Sequence, residues 1–465
     1  MECYLLPAQP VASLADWLAL GGGQALGIAR RLGADATVEE VGASGLRGRG
    51  GAGYSTGRKW QTVARNRSPV EPSTVVVNGA EGEPGTFKDR TILRTNPYQV
   101  VEGVAIAALT LGARQAYFAI KESFEWEGAA LTEAINEMQE AGLAGDVPMT
   151  VVRGPDEYLY GEEKAMLEVI EGRPPLPGLF APYLHGLYAT APQMGWEASE
   201  PEPGHRERDR SNPTLVNNVE TFANVAHILG RGADWFRSMG TPESPGNAVA
   251  TIVGDVVHAG VGEVELGTPL SAAIAAIGGG LPGGRSLRAA FSGVANAVVT
   301  AALVDTALSY EAMAAAGSGL GALGYVVYDD TACMVEVAHE FSRFLFVESC
   351  GQCPPCKLGS EEITAHLGEI AAFGATEDDV AVIGARLANV TDGARCYLAD
   401  EEQIVVRSIL REFPDDFAAH LEGHCPRPRH DLPIPKIVDI TDGVATYDLR
   451  HRRKRPDWTY EDEAP

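Results

Sequence analysis

The amino-acid sequence predicts three structural units in chain order: an α/β layer domain, a small α+β module and a helical domain. Strand-like and helix-like stretches alternate through residues 1–240, which is the pattern of an α/β fold. Short apolar stretches separated by Gly and Pro occupy 245–332, and a helical pattern fills most of 334–430. Residues 431–465 are predicted to form a C-terminal tail. At 465 residues the chain is too long for one ordinary domain of about 100 to 200 residues.

The α/β prediction depends on three buried strands and one helix. The strands are T-V-V-V-N at 74–78, A-Y-F-A-I at 116–120 and M-T-V-V at 149–152. The stretch V-V-E-G-V-A-I-A-A-L-T-L-G-A at 100–113 has the periodicity and length of a helix. Residues 172–213 are rich in Pro, Gly and charged side chains, so we expect a long, partly irregular excursion there.

The α+β module is predicted from four short strands and one short helix. The strands are A-V-A-T-I-V-G-D-V at 248–256, G-V-G-E-V-E-L-G-T-P-L at 260–270, A-N-A-V-V-T at 295–300 and L-G-Y-V-V-Y at 323–328. The helix is S-A-A-I-A-A-I at 271–277. In the helical domain that follows, a loop bearing cysteines interrupts the helical pattern.

Composition and charge exclude several classes of protein. A formal net charge of −26 disfavours nucleic acid as a partner, because phosphate binding draws on Lys and Arg clustered over a whole face. No run of about 18 or more apolar residues predicts a membrane-spanning helix. Glu2 stands where a signal peptide carries positive charge, and seven cysteines are too few for a disulfide scaffold, so we expect a reducing, cytoplasmic compartment. The tail has a basic run followed by an acidic one and is expected to be solvated.

Four cysteines have the spacing of an iron–sulfur site. Cys350, Cys353 and Cys356 form a C-x2-C-x2-C triple, and Cys396 follows forty positions later. Three thiolates at this spacing with a distant fourth are typical of a 4Fe-4S cluster. Zinc is the alternative, but zinc sites usually contain two separated C-x2-C pairs or include His. The other cysteines are predicted to be plain thiols: Cys3, Cys333 and Cys425.

Residues 45–60, G-L-R-G-R-G-G-A-G-Y-S-T-G-R-K-W, combine glycines and cations in an otherwise acidic chain. Glycines let backbone N–H groups approach phosphate oxygens and nearby Arg or Lys neutralises the charge, so the stretch predicts an anion-binding loop. Gly48, Gly50 and Gly53 formally satisfy G-x-G-x-x-G. However, no strand directly precedes them, and Glu71 lies before the next strand instead of after it, so a Rossmann fingerprint is not predicted. A flexible surface turn is the alternative, which repulsion among the four cations disfavours.

Three more segments have the composition of ligand-binding loops. N-G-A-E-G-E-P-G-T-F-K-D-R at 78–90 follows a predicted strand end, where open α/β sheets bind ligands. Y-L-Y-G-E-E at 158–163 supplies adjacent carboxylates, and N-N-V-E-T at 217–221 supplies neighbouring amides that can pair with the edges of a flavin ring. Taken singly, each segment is better explained as an ordinary turn or helix cap.

Taken together and in this order, these segments resemble the NADH-binding flavoprotein subunit of respiratory complex I and its relatives in NAD-linked hydrogenases and formate dehydrogenases. The matching motifs span 45–400, and S-Y-E-A-M-A-A-A-G-S-G-L-G at 309–321 is similar to the family's join between its β-grasp module and its cluster domain. The resemblance implies an FMN- and NADH-binding α/β domain over 1–240. It further implies a ubiquitin-like (β-grasp, SLBB-type) module over 245–332 and a helical bundle with a 4Fe-4S cluster over 334–430.

The resemblance also implies the site residues. The residues expected to bind FMN or NADH are Gly48, Arg49, Gly50, Gly51, Gly53, Tyr54, Lys59, Asn78, Glu81, Glu83, Gly161, Asn217, Asn218 and Thr221. Glu162 and Glu163 are expected near the reacting face, as the catalytic groups. Within the whole set, Tyr54, Glu83 and Glu163 match positions where the family contacts NADH.

The implied activity is that of an NADH dehydrogenase-type oxidoreductase subunit. It would pass electrons from NADH via FMN to the 4Fe-4S cluster and on to a partner, either a 2Fe-2S or other iron–sulfur subunit or ferredoxin. We expect it in the cytoplasm, peripheral on the inner face of a membrane complex. The alternative is a subunit that keeps FMN and cluster, has lost productive NAD binding, and exchanges electrons only with proteins. Three departures from the family support the alternative: Ala80 replaces a carboxylate, Gln61 and Thr62 stand where an aromatic is usual, and the segment at 172–184 is altered.

Overall fold

The structure, a computed structural model, describes residues 3–68, 71–188, 212–427, 429 and 431–461. Most of the irregular excursion predicted at 172–213 lies outside the described residues. In the described part of the chain, no helix is both long and apolar enough to cross a membrane.

Four parallel strands form the first sheet: β1 (Thr74–Gly79), β2 (Gln115–Lys121), β3 (Met149–Gly154) and β4 (Thr214–Asn218). They lie in the order β3-β2-β1-β4. The three predicted strands are confirmed. The fourth, β4, was not predicted, because its apolar part is too short to stand out before the two asparagines.

Helices pack around this sheet: α1 (Leu14–Ala19), α2 (Gln24–Leu32), α3 (Ala34–Ala43), α4 (Thr56–Arg65), α5 (Lys88–Thr95), α6 (Pro97–Leu111), α7 (Glu125–Glu140), α8 (Glu163–Ile170), α9 (Val219–Arg231) and α10 (Ala233–Arg237). The helix predicted at 100–113 is α6, which packs against α9. Gly103 permits this contact, because a Cβ there would lie 2.0 Å from the carbonyl oxygen of Phe222. α9 follows β4 directly, and the Asn218 side chain caps it by accepting a hydrogen bond from the main-chain N–H of Glu220.

A mixed sheet forms the second unit: β5 (Asn247–Gly254), β6 (Gly260–Glu265), β7 (Leu287–Ser292), β8 (Val299–Thr300) and β9 (Gly324–Asp329), with helices α11 (Leu270–Gly278) and α12 (Tyr310–Ala315). The order is β6-β5-β9-β7-β8, in which β5 and β9 are parallel and the other neighbours antiparallel. The predicted strands and α11 are confirmed, although β8 has two residues only. β7 was not predicted, because L-R-A-A-F-S contains no β-branched residue.

The helical unit contains α13 (Met334–Glu348), α14 (Pro354–Ala371), α15 (Glu377–Leu387), α16 (Leu398–Glu412) and α17 (Pro414–Leu421). A loop that bears cysteines, predicted at 350–360, does join α13 to α14, but it is shorter than predicted because α14 already begins at Pro354 and contains Cys356. Phe341 of α13 packs edge-on against Phe291 of β7, with ring centroids 5.0 Å apart. The helical unit and the mixed sheet therefore share one apolar core.

The described part of the C-terminal tail, residues 431–461, is packed against the protein, so the expectation that the tail is solvated is wrong for this part. It forms a hairpin of β10 (Ile437–Thr441) and β11 (Val444–Tyr447), followed by a 3-10 turn. Beyond the hairpin, Lys454 Nζ lies 2.9 and 3.0 Å from the two carboxylate oxygens of Glu348, and His451 Nε2 lies 2.9 Å from one of them. The buried carboxylate of Glu348 needs cationic or hydrogen-bonding partners, and the basic run supplies them.

Candidate functional site

Amide side chains line the carboxyl edge of the first sheet. Asn78 and Asn218 are register partners at the ends of β1 and β4, and Asn218 Nδ2 donates to the Asn78 carbonyl at 3.4 Å. Asn78 Nδ2 donates to the Gly161 carbonyl at 2.6 Å, and Asn217 accepts from the indole N–H of Trp60 at 3.1 Å. Three segments that the sequence singled out therefore meet at one sheet edge, which is where open α/β sheets bind ligands.

The glycine loop lies against this edge. A Cβ at Gly50 would lie 3.3 Å from the Cβ of Asn218, so the loop backbone passes close to the amide. The main-chain N–H of Arg49 donates to the Thr221 hydroxyl at 2.9 Å, which fixes the loop to the first turn of α9. Gly51 has a φ of +121°, a conformation that favours glycine. The loop is therefore held at a helix N-terminus, where phosphate groups bind favourably.

Tyr310, at the start of α12, closes another side of the glycine loop, and sequence reasoning did not select it. Its hydroxyl donates to the Gly48 carbonyl at 2.9 Å, and the Arg47 guanidinium lies 3.9 Å from the ring centroid. A Cβ at Gly53 would lie 2.2 Å from a ring carbon, so glycine is required there. The sequence offered one indication of Tyr310: it lies in the segment 309–321, which is similar to the family's join between two domains. That similarity assigned Tyr310 no role.

The side chain of Arg49 is buried and bonded within the protein. Its guanidinium donates to the carbonyls of Pro245 and Asn247 at 3.2 and 3.1 Å and lies 3.8 Å from Glu220. Arg49 is only 2% exposed, and its guanidinium connects the glycine loop to the start of the mixed sheet. The structure thus gives Arg49 a structural role that the sequence did not indicate, and its predicted contact with a phosphate stays a prediction.

A buried ionic network lies beneath the sheet edge, and sequence reasoning missed it. Lys88 Nζ lies 2.7 Å from Asp89, 3.0 Å from Glu220 and 3.1 Å from the Asn218 side-chain oxygen. Burial raises the pKa of Asp89 to about 6, although Lys88 opposes the shift. Burial alone would lower the pKa of Lys88, but the neighbouring carboxylates of Asp89 and Glu220 outweigh burial and raise it. The network therefore keeps a charged lysine directly beneath Asn218.

Two predicted cofactor carboxylates are already bonded within the protein. The two oxygens of Glu81 accept from the Asp89 N–H and from Arg90 Nε, each at 2.9 Å, at the start of α5. Glu83 accepts from the Val294 N–H at 2.7 Å and from a tyrosine hydroxyl. Their contacts with FMN or NADH stay predictions, and the structure shows both residues joining loops to neighbouring elements.

Glu162 and Glu163 lie at the start of α8 and differ in their partners. Glu162 caps the helix by accepting from the Lys164 and Ala165 N–H groups at 2.9 and 3.0 Å. Burial raises the pKa of Glu162 to about 7. Glu163 forms an ion pair with Lys59 at 2.6 Å, which joins α8 to the helix that follows the glycine loop. The structure therefore brings Glu163 into contact with the predicted phosphate-binding stretch, whereas Glu162 is bonded within its own helix.

The four predicted cluster cysteines surround one cavity. Its lining consists of Leu159, Pro177, Ser349, Cys350, Cys353, Cys356, Ala394, Arg395, Cys396, Leu398 and Ala399. Burial raises the pKa of Cys356 to about 11 and that of Cys396 to about 12. Thiolates in this setting need a bound cation, which the iron of a cluster provides, and the mostly apolar lining excludes water. The described residues therefore fit a 4Fe-4S cluster.

A single 3-10 turn, Tyr158–Gly161, lies between the sheet edge and the cysteine cavity. The carbonyl of Gly161 accepts from Asn78 at the sheet edge, while the side chain of Leu159 lines the cavity. Beyond the turn, the Lys164 ammonium donates to the carbonyl of Arg395, the residue before Cys396. The two candidate sites are therefore adjacent, separated by one short piece of chain.

Two of the cysteines predicted to be plain thiols lie together. The donor atoms of Cys333, His420 and Cys425 are all within 4.8 Å of one another, and Cys333 Sγ is 3.4 Å from His420 Nε2. The other ring nitrogen of His420 is 3.1 Å from the Ile370 carbonyl. Thiol and imidazole are the donor types of zinc sites, so these cysteines are not isolated. Their wide separation in the sequence concealed the arrangement.

Comparisons with known proteins agree with this geometry. The family described as "Nuo51 FMN-binding domain" matches residues 41–227, and the "NADH-ubiquinone oxidoreductase-F iron-sulfur binding region" matches 336–420. The first match contains the glycine loop and the amides, and the second contains all four cluster cysteines.

Similar proteins include components of two kinds of complex. The chain is 35% identical over 404 residues to an NADH-quinone oxidoreductase F subunit of Rhizobium meliloti (strain 1021), covering 84% of this chain and 90% of that protein. It is 33% identical over 424 residues to the NADP-reducing hydrogenase subunit HndC of Solidesulfovibrio fructosivorans, covering 89% and 82%. It also matches a crystal structure of NAD⁺-reducing NiFe hydrogenase in the H2-reduced state, with a TM-score of 0.76, 29% identity, and coverage of 89% of this chain and 68% of that chain.

The fold and the two adjacent sites define a flavin- and iron–sulfur-dependent oxidoreductase subunit. Its identity of 35% to the F subunit of Rhizobium meliloti extends over 84% of the chain, which assigns it to one family within this class. The chain belongs to the family of NADH-quinone oxidoreductase F subunits. The resemblance inferred from the motifs is thereby confirmed, together with the FMN-binding and 4Fe-4S-binding regions.

Proposed function

We propose that this chain takes electrons from NADH by way of FMN, passes them to a 4Fe-4S cluster and delivers them to a partner iron–sulfur protein. The Tyr158–Gly161 turn carries the proposal, because one of its carbonyls is bonded at the sheet edge and one of its side chains lines the cysteine cavity. When bound, FMN supplies the exchange between two-electron hydride transfer and the single electrons that a cluster accepts.

In this proposal the chain binds FMN mainly through its backbone and amides. The glycine loop and Lys59 bind the phosphate, and Asn78, Asn217 and Asn218 bind the flavin ring. The support is the close approach of the loop backbone to Asn218 and the network that fixes this amide from below. Because Lys59 is paired with Glu163, phosphate binding competes with an existing ion pair.

The nicotinamide nucleotide is proposed to dock on the outer side of the glycine loop. Tyr54 is 58% exposed there and is free to cover a planar ring. Ala80 is buried among apolar side chains, so the nucleotide would bind without a carboxylate at that position. The names of the relatives refer to NADH, NADP and NAD⁺, which favours nucleotide use over the alternative, in which electrons are exchanged only with proteins.

We further propose that the mixed sheet is a ubiquitin-like β-grasp module of the SLBB type. Its strand order and its parallel central pair, β5 and β9, support this assignment. The partner is proposed to be a 2Fe-2S or other iron–sulfur subunit or ferredoxin, and the location the cytoplasmic face of a membrane complex. The support for partner and location is family membership.

The proposal is tested on protein purified without oxygen. We expect flavin and iron–sulfur absorption, and rapid bleaching of the flavin by NADH; NADPH and reduced ferredoxin are added in separate runs. The matched control is Cys396→Ser, in which NADH should still bleach the flavin while the cluster signal is lost. A flavin that stays oxidised in excess NADH, yet is reduced by ferredoxin, would establish the alternative. Absence of bound flavin would contradict both functions.

A further inference from the structure

The side chain of Gln352 connects three pieces of chain around the cysteine cavity. Gln352 stands in the loop between Cys350 and Cys353. Its Nε2 lies 3.6 Å from Cys350 Sγ and 3.2 Å from the carbonyl oxygen of Pro177, and its Oε1 lies 2.9 Å from Nη1 of Arg395. Pro177, Cys350 and Arg395 all line the cavity, so the polar contacts of one amide group lie at its wall.

The partners of Gln352 determine which way its amide faces. A guanidinium has only N–H donors, so Arg395 can bond only to the amide oxygen. A carbonyl oxygen and a cysteine thiolate are acceptors, so the NH₂ group must face Pro177 and Cys350. The reverse orientation would place donors against donors and acceptors against acceptors, and all three contacts would be lost. Arg395 thereby fixes the orientation in which Gln352 donates to the sulfur.

The pieces of chain that hold Gln352 are themselves anchored. Arg395 directly precedes Cys396, and its carbonyl accepts from the Lys164 ammonium of α8. Pro177 belongs to the segment at 172–184, whose sequence departs from that of the family. That segment therefore reaches the cysteine cavity, and its contact there with Gln352 is a hydrogen bond from the amide to a main-chain carbonyl.

A donor to a cluster ligand changes the energy of an added electron. Reduction adds one negative charge, which is shared with the sulfur ligands, and a hydrogen bond to a more negative acceptor is stronger. Hydrogen bonds to sulfur are accordingly among the features that set the reduction potential of an iron–sulfur cluster. The mostly apolar lining of the cavity screens this effect poorly. The N–H group that faces Cys350 should therefore favour the reduced state.

We propose that Gln352 raises the reduction potential of the cluster by donating a hydrogen bond to Cys350 Sγ, and that Arg395 orients this donor. Both are positioning residues, because Gln352 acts through the sulfur and Arg395 acts through Gln352. The step that they favour is the transfer of one electron from the flavin, in which no covalent bond of the protein forms or breaks and both side chains keep their protons. The inference rests on the proposed function, since it needs a cluster bound by the four cysteines.

The test is a redox titration of the purified flavin- and cluster-containing protein, followed by electron paramagnetic resonance. Gln352→Leu removes both N–H donors of the amide. Reduction of the cluster should become about tenfold less favourable, which for one electron is a fall of about 59 mV in the reduction potential. All proteins are titrated at the same pH, so the pH dependence of nearby carboxyl groups does not enter the comparison.

Two further variants separate the hydrogen bond from a merely structural link. Gln352→Glu keeps an acceptor for Arg395 but has no N–H for the sulfur, and its charge adds to the effect, so the potential should fall at least as far as in Gln352→Leu. The matched control is Gln403→Leu. Gln403 is a half-buried glutamine of α16 whose amide donates to the Leu387 carbonyl, away from the cavity lining. The potential of this control should equal that of the unmodified protein.

A second readout uses the native side chain if the Gln352 variants bind no cluster. In protein synthesised with glutamine isotopically labelled at the side-chain amide nitrogen, electron–nuclear double resonance of the reduced cluster should detect a coupling to the labelled nitrogen. Absence of this coupling overturns the inference.

The potentials have outcomes that overturn the inference as well. These are an unchanged potential in Gln352→Leu, an equal fall in Gln403→Leu, or an unchanged potential in Gln352→Glu, which would leave Gln352 with a structural link only. Unmodified protein that binds no cluster contradicts the proposed function too, so the two failures are distinguishable.

Discussion

Replacing Lys88 with Met should destabilise the folded protein strongly at neutral pH. The side chain of Lys88 is 1% exposed and lies between the buried carboxylates of Asp89 and Glu220. Removing one partner of a buried ion pair costs about 3 to 5 kcal/mol, because the remaining charge is left without compensation. Met has a similar length and an apolar stem, so a cavity contributes little to the expected loss.

The loss of stability caused by Lys88→Met should depend on pH, and the buried network determines whether it grows or shrinks as pH falls. The pKa of Asp89 is raised to about 6 by burial even though Lys88 opposes the shift, so it rises further without Lys88. The folded variant then binds a proton that the unfolded chain, with an Asp pKa of about 3.9, does not. The stability difference from the unmodified protein should therefore narrow as pH falls through this raised pKa. It should level off below about 6, where Asp89 is protonated in both proteins.

The measurement is the thermal unfolding midpoint at a series of pH values, compared between variants because a chain of several units need not unfold in two states. The control is Arg450→Met, which removes a side chain that is 70% exposed and whose pair with Asp448 is worth about 0 to 1 kcal/mol. Adding Asp89→Asn to Lys88→Met should recover part of the loss above neutral pH. Equal midpoints for Lys88→Met and Arg450→Met, or a loss that grows on acidification, would refute the reasoning.

Three further substitutions test other parts of the structure. Cys396→Ser should abolish the cluster signal and lower bound iron while flavin content persists; retention of a full cluster would contradict the cavity assignment. Lys454→Met should cost about 3 to 5 kcal/mol, because Glu348 loses a buried cation, and should expose the tail to limited proteolysis, whereas Arg450→Met should not. Tyr310→Phe removes a hydrogen bond worth about 0.5 to 1.5 kcal/mol from the glycine loop. Flavin fluorescence should therefore show several-fold weaker FMN binding, and unchanged binding would exclude this role for Tyr310.

The features predicted correctly from the sequence are those whose signal is local. The apolar run at 74–78 and the helix at 100–113 appear in the structure because continuous apolar residues must be buried wherever the strand or helix lies. The C-x2-C-x2-C triple likewise predicts its own geometry, because the short spacing brings three thiols together. The fourth cysteine was found because the chemistry of the cluster requires it.

The features that the sequence did not reveal are pairings between distant residues. Tyr310 contacts Gly48 across 262 positions, and Lys454 meets Glu348 across 106. No local pattern distinguishes either residue from an exposed tyrosine or lysine, so the tail seemed to be a solvated charge run. Arg49 shows the same limit in another form. Its sequence context predicts a cation near phosphate, yet its side chain is bonded to carbonyls that follow it by almost two hundred positions.

The Tyr158–Gly161 turn determines how the two sites depend on each other. At one end its main chain and hydroxyl are bonded to Glu348, Glu83 and Glu401, and at the other end Gly161 is bonded to Asn78. Each of these partners belongs either to the sheet edge or to the helical unit. A substitution that frees one end of the turn should therefore displace Leu159 in the cysteine cavity as well. Substitutions at the flavin side and at the cluster side should consequently both alter the position of this one short turn. The effects of two such substitutions should therefore be non-additive when they are combined.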